Sequence, residues 1–250
     1  MHRFYLPPAH CTGDQLRLTD REAHHALHVL RLRAGESITV LDGAGHALDC
    51  EVTGLTRAEV SLRVRHRHFI PPLPGQITLL QALPKGKIMD SLIQKAVELG
   101  VHKVVPILSE RVVSQLDEDG AEGKRDKWQQ VAVEAIKQSG AAWLPTIAAP
   151  VPLAQYLARP ESFELALIGS LLAERRHPRA WLAEAQAQLG RVPGTLGVWI
   201  GPEGDFTPAE VAAIQATGAK PITLGRLVLR VETAAIYCLA FLNYELNTTP

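Results

Sequence analysis

Between Gln76 and Leu246 short apolar runs alternate with stretches of helical periodicity, and this alternation restricts the fold more than any other feature of the chain. Ile77 to Gln81, Val101 to Leu108, Phe163 to Ile168, Leu196 to Ile200 and Pro221 to Leu224 read as short buried strands. Met89, Leu92, Ile93, Ala96 and Val97 recur at helical spacing up to Gly100, and Trp128, Val131, Ala132, Ala135 and Ile136 do so up to Gly140. Further helices are predicted over Pro178 to Leu189, Pro208 to Thr217 and Thr233 to Leu246, and Asp117-Glu118-Asp119-Gly120 reads as a solvated loop. Strands that are separated by helices predict a mainly parallel sheet covered on both faces, an α/β architecture.

The first seventy residues are of another kind. They hold nine arginines and no lysine, and eight of the ten histidines of the chain. Strand-like runs (Ser37 to Leu41, Leu48 to Thr53, Ala58 to Arg65) are separated by the turn signals Asp42-Gly43 and Gly54. A small β domain over 1–70 is expected, then a linker at 71–75, because Pro71-Pro72-Leu73-Pro74-Gly75 cannot continue a sheet, and the α/β domain over 76–250. Arg63-Val64-Arg65-His66-Arg67-His68 alternates strictly, which on a regular strand puts three guanidiniums on one face. Such a face repels itself unless it is solvated or meets phosphate; a charged, aggregation-resistant edge strand is the alternative. With Arg31 and Arg33 nearby, phosphate contact is the favoured reading. The formal net charge is zero, so the argument for nucleic acid is local.

Several classes are excluded. With 46% hydrophobic and 21% charged residues the chain can build an ordinary core. Cys11, Cys50 and Cys238 are scattered and odd in number, which argues against a disulfide framework and a zinc site. His24 and His28 stand one helical turn apart but lack a third ligand, so no metal is expected. The N-terminal residues lack a signal-peptide run and Ala234 to Leu242 is too short to span a membrane, so a soluble cytoplasmic protein is expected. Neither GxGxxG after a strand nor GxxxxGK[ST] is present, nor is HExxH.

Chemistry is expected at the strand ends. In Val198-Trp199-Ile200-Gly201-Pro202-Glu203-Gly204-Asp205-Phe206-Thr207-Pro208-Ala209-Glu210 a strand stops at Ile200 and a helix begins after Thr207. Thr207 with Glu210 has the form of a capping box, and Pro208 fits the first helical position. Gly201 and Gly204 let backbone approach a ligand closely. Thr223-Leu224-Gly225-Arg226-Leu227-Val228-Leu229-Arg230-Val231-Glu232-Thr233-Ala234 repeats the pattern, with Arg230 and Glu232 at the helix start. Ile168-Gly169-Ser170 is a third strand end. In open α/β sheets ligands sit beyond the carboxyl ends of strands, so the three turns could converge on one rim. Tight turns that need glycine for geometry alone are the alternative.

Taken together, Val29-Leu30-Arg31-Leu32-Arg33-Ala34-Gly35, Gln81-Ala82-Leu83-Pro84-Lys85-Gly86, Gln94 to Val101, Ser109-Glu110-Arg111, Gln138-Ser139-Gly140, Ile200 to Phe206 and Leu224 to Ala234 resemble, in this order, the bacterial ribosomal RNA uridine-N3 methyltransferases of the SPOUT superfamily (RsmE type). The resemblance spans nearly the whole chain. It implies a PUA-like β-barrel that binds RNA, then a SPOUT-type parallel sheet with a C-terminal trefoil knot. It also implies S-adenosylmethionine as cofactor, a homodimer, and methylation of a uridine N3 in 16S ribosomal RNA. Gly169, Ile200, Gly201, Gly204, Leu224, Gly225, Leu227 and Leu229 are then the expected cofactor residues, and Arg230 and Glu232 the expected catalytic pair, with Glu203 at the rim. Arg3, Arg31, Arg33, Arg63, Arg65, Arg67 and Lys85 are the expected RNA contacts. The chain departs from the pattern at Asp205, where the family often has Gly, and at Ala141, where it often has Arg. Methylation of a ribose 2′-hydroxyl on the same fold and a non-catalytic RNA-binding module are the rival functions.

Overall fold

The structure, a computed structural model, describes residues 2–111, 118–171 and 175–247. Two units can be distinguished, one of Met1–Pro72 with Val133–Leu144, the other of Leu73–Ala132 with Pro145–Pro250.

In the first unit β1 (His2–Tyr5), β2 (Gln15–Leu18), β3 (Ser37–Leu41), β4 (His46–Leu55) and β5 (Val60–Phe69) form one sheet in the order β1-β3-β4-β5-β2. Only β1 and β3 run parallel; the other pairs are antiparallel. A short helix α1 (Asp20–His24) continues into a π-helical turn over His25–Val29. Alternation puts Leu48, Cys50 and Val52 of β4 and Val60 and Leu62 of β5 into a core with Phe4, Leu18, Ile38 and Val40. The turn between β3 and β4 is fixed by Asp42, whose carboxylate accepts from the amides of Ala44 (2.7 Å) and His46 (2.9 Å).

One detail of β5 overturns an expectation. Asp49 pairs with His66 but Cys50 pairs with Val64, so Arg65 is an extra, bulged residue. Directly opposed residues share a face. Arg63 therefore lies with its partner Glu51, whereas Arg67 lies with Leu48, which points into the core. The three guanidiniums do not form one row. Strand β5 is flanked on both sides, by β4 and β2, over Val60–Arg63 and is paired with β4 alone from Val64 to Phe69.

The second unit contains β6 (Gln76–Ala82), α2 (Ile88–Glu98), β7 (Lys103–Leu108), α3 (Glu118–Ser139), β8 (Thr146–Ile147), β9 (Val151–Pro152), α4 (Leu153–Ala158), β10 (Leu165–Gly169), α5 (Pro178–Leu189), β11 (Thr195–Ile200), α6 (Pro208–Ala216), β12 (Lys220–Ile222) and α7 (Val231–Asn247), with the last turns of α3 assigned to the first unit. All pairs in its sheet are parallel, in the order β12-β10-β11-β6-β7-β8, with β9 also on β7. Of the expected solvated loop, Asp117 lies outside the described residues, while Glu118 to Gly120 open α3. The helix dipole favours acidic residues in a first turn. The strands are buried on both faces: Leu80, Val105, Ile107, Ile168 and Trp199 pack with Phe206, Val211 and Ile214. Helix α7 buries a stripe of Val231, Ala235, Cys238, Leu239, Leu242 and Leu246, yet Tyr237 and Tyr244 remain 46% and 67% exposed. Among the described residues no helix is long and apolar enough to cross a membrane.

The sheet register is what positions a site. Gly169 lies opposite both Ile200 and Ile222, and Ile200 lies opposite Gln81. Four neighbouring strands thus end at one level, and the loops that leave them start side by side.

Candidate active site

The loop after β11 is short and held at both ends. Its exit is fixed by the capping box on α6: the Thr207 hydroxyl accepts from the Glu210 amide (3.3 Å), the Glu210 carboxylate accepts from the Thr207 amide (2.8 Å), and Pro208 takes the first helical position. Its entry is crowded. A Cβ on Gly201 would lie 2.9 Å from an Asp205 carboxylate oxygen and 3.1 Å from the Phe206 nitrogen, so only glycine fits without displacing the turn. Asp205 itself has φ of 59°, the left-handed region in which Asp is among the better-tolerated side chains.

This loop also ties its neighbours together. After β6, the Lys85 amide donates to the Glu203 carboxylate (2.9 Å). After β7, the Glu110 amide donates to Glu210 (2.7 Å), and the Arg111 guanidinium donates to the carbonyls of Gly204 and Asp205. After β10, the Leu171 amide donates to Asp205 Oδ2 (2.8 Å), while the Phe206 amide donates to Asp205 Oδ1 (2.8 Å).

The loops after β10, β11 and β12 surround a cavity of about 520 Å³. Of the residues expected at a cofactor, Gly169, Ile200, Gly201, Leu224, Gly225, Leu227 and Leu229 line it, and so do Arg230 and Glu232. Gly204 does not: its carbonyl accepts from Arg111, and a Cβ there would meet the Arg111 side chain at 3.4 Å. Sequence reasoning did not name Ile88, Leu171 and Arg175, which also line the cavity, and placed Ser170 only in the third strand end. No local signal marks Ile88; it arrives because β6 pairs with β11. The Gly169 turn could have flagged Leu171, the residue after Ser170. Apolar walls with a few convergent charges, here Arg175, Glu203, Asp205, Arg230 and Glu232, are the composition of a small-molecule site.

The basic residues fall into two groups. Arg31, Arg33, Arg63 and Lys85 are exposed and, among the described residues, their side chains make no ion pair. Three others are engaged. Arg3 donates to the carbonyls of Lys137 (3.3 Å) and Gln138 (2.9 Å) at the end of α3, Arg65 pairs with Glu51, and Arg67 donates to the carbonyls of Cys11 (2.6 Å) and Gly13 (3.1 Å). The His24 and His28 rings stand 4.8 Å apart, and no group of three metal-ligating side chains is found among the described residues. Cys11, Cys50 and Cys238 are free and buried, and burial is the main cause that pushes their thiols up to about 11, 12 and 12.

Comparison with known proteins gives this geometry a family. Residues 71–243 match the model described as an RNA methyltransferase domain, and residues 18–65 the RNA methyltransferase PUA domain. A ribosomal RNA small subunit methyltransferase E from Aquifex aeolicus is 31% identical over 97% of this chain and 99% of its own. The chain belongs to the ribosomal RNA small subunit methyltransferase E family. A solved methyltransferase E from Neisseria gonorrhoeae, bound to S-adenosyl methionine, is 31% identical and matches with a TM-score of 0.83 over 100% of both chains. The Bacillus subtilis methyltransferase E is 29% identical over 91% of this chain and 89% of its own. The whole cavity falls inside the methyltransferase match, and Arg31, Arg33 and Arg63 inside the PUA match. Asp205 occupies a left-handed position where glycine is the unstrained residue.

Proposed function

We propose that this chain transfers the methyl group of S-adenosylmethionine to N3 of a uridine in small-subunit ribosomal RNA. The observation that carries the reading is the convergence of three strand-end loops on one cavity, in a family with a member solved bound to that cofactor. The residues fit the group. The cavity is within the roughly 300 to 1,000 Å³ of small-molecule sites. The space beside Gly225, with φ of 117°, is empty to 4 Å around a would-be Cβ. Gly169, Gly201 and Gly225 would leave backbone amides and carbonyls open to the cofactor, and Ile200, Leu224 and Leu229 would pack on its apolar parts. When bound, it supplies a methyl group already activated on a sulfonium.

The protein must then handle a proton and a charge. Uridine N3 carries an imide proton that has to leave as the methyl arrives. Arg230, at the cavity and without an ion pair among the described residues, would stabilise the anionic uracil. Glu232, also at the cavity, is the candidate base. Holding the base in line with the methyl group supplies the remainder through orientation.

Exposed Arg31, Arg33, Arg63 and Lys85 are proposed to meet phosphates. A second copy of the chain is proposed to cover the exposed aromatic face of α7, next to the loop where Leu227 and Val228 are also exposed. The C-terminal trefoil knot belongs to the same proposal. Mass spectrometry of ribosomal RNA, from cells with and without the gene, tests the reading. Loss of one base-methylated uridine is expected; loss of a ribose methyl, or no change, would overturn it.

A further inference from the structure

We infer that Asp205 is a positioning residue: it clasps the loop leaving β10 to the loop leaving β11, and so sets the shape of the cavity wall that takes the cofactor. The inference rests on the S-adenosylmethionine reading above. Three observations support it. The two oxygens of the carboxylate accept from different loops, Oδ1 from the Phe206 amide and Oδ2 from the Leu171 amide, each at 2.8 Å and the second across 34 residues of chain. Asp205 adopts φ of 59°, a strained backbone for a residue with a side chain, and strain persists only where the surroundings over-determine it. The surroundings do so here. Arg111 holds the carbonyls of Gly204 and Asp205, and Gly201 leaves free the space that the carboxylate occupies.

Leu171, Gly201 and Asp205 all line the cavity, so the clasp is part of the wall and not a remote support. Both carboxylate oxygens accept from backbone amides, which is the work of holding a loop in place. Its effect is expected in cofactor affinity. Without the Oδ2 contact the Leu171 amide loses its partner, and the loop after Gly169 gains freedom that binding must remove.

The test separates the bond from the backbone. Asp205→Gly relieves the left-handed strain but removes both acceptors; Asp205→Asn tolerates the same backbone, yet its amide nitrogen cannot accept. Calorimetry with S-adenosylmethionine should show at least a tenfold loss of affinity for Asp205→Gly and a smaller loss for Asp205→Asn. KM for the cofactor should rise while kcat at saturation stays within about twofold. Hydrogen exchange at the Leu171 amide should be protected in the wild type and faster in both variants. Wild-type cofactor affinity in Asp205→Gly, or unprotected Leu171 in the wild-type protein, overturns the clasp. If the wild type itself does not bind S-adenosylmethionine, the cofactor reading fails, and the exchange at Leu171 still decides whether the clasp exists.

Discussion

Two glycines of the same cavity are expected to answer mutation very differently. At position 201 any Cβ runs into the Asp205 carboxylate at 2.9 Å and the Phe206 nitrogen at 3.1 Å. Gly201→Val should therefore lower S-adenosylmethionine affinity at least a hundredfold while circular dichroism shows a folded protein. At position 169 the nearest atom is the Ile200 methyl at 3.5 Å, ordinary van der Waals contact. Gly169→Ala should change the affinity less than fivefold; equal losses in both variants would mean that the cavity is not shaped as described. Gly204 shows where the sequence stopped being informative at this scale. It belongs to the same motif as Gly201, but its orientation depends on Arg111, 93 residues earlier, which no local pattern reveals. The three buried thiols, raised to about 11, 12 and 12, should stay protonated near pH 8 and resist a thiol reagent until denaturant is added. Rapid labelling of the native protein would contradict that burial.

Among the elements, β5 separates two uses of arginine. Replacing Arg31, Arg33 and Arg63 with alanine should flatten the salt dependence of RNA binding by about one log-log unit per lost phosphate contact, with an unchanged melting temperature. Arg67→Ala should do the reverse. It removes donors from the Cys11 and Gly13 carbonyls and should cost about 1–3 kcal/mol of stability, read from denaturant unfolding, with the salt slope kept. A triple variant with the wild-type slope would assign that surface to solvent. The strict Arg alternation looked uniform in sequence because a bulge inserts a residue without disturbing the pattern; only the pairing with β4 exposes it. The strands β6, β7, β10, β11 and β12 and helices α2, α5, α6 and α7 were readable, since burial of parallel strands and helix stripes leaves apolar runs and 3.6 periodicity. The four-residue strands β1 and β2 were not, being too short to carry a period.

For the whole molecule, α7 has a buried stripe and an exposed face that carries Tyr237 and Tyr244, directly after Arg230. If a second copy covers that face, Tyr237→Glu with Tyr244→Glu should give a monomer in sedimentation equilibrium at micromolar concentration, with methylation lost in parallel. A fully active monomer would dismiss both the interface and a shared site. Assembly is the property that the sequence conveyed least directly, because an apolar face states that a cover is required but not what supplies it. The common level at which the strands end has another consequence, in time. Gln81 and Ile200, neighbours at that level, are 119 residues apart, and β12 and α7 follow later still. Closing so long a loop precedes any reward from the central ladder, so the sheet should be slow to form and its late strands decisive. The cavity needs the loops after β10, β11 and β12 together, so it can close only once the last of these strands has been made. The exposed arginines proposed to meet phosphates stand in the first unit, so the chain should gain its grip on RNA before it gains a place for the methyl donor.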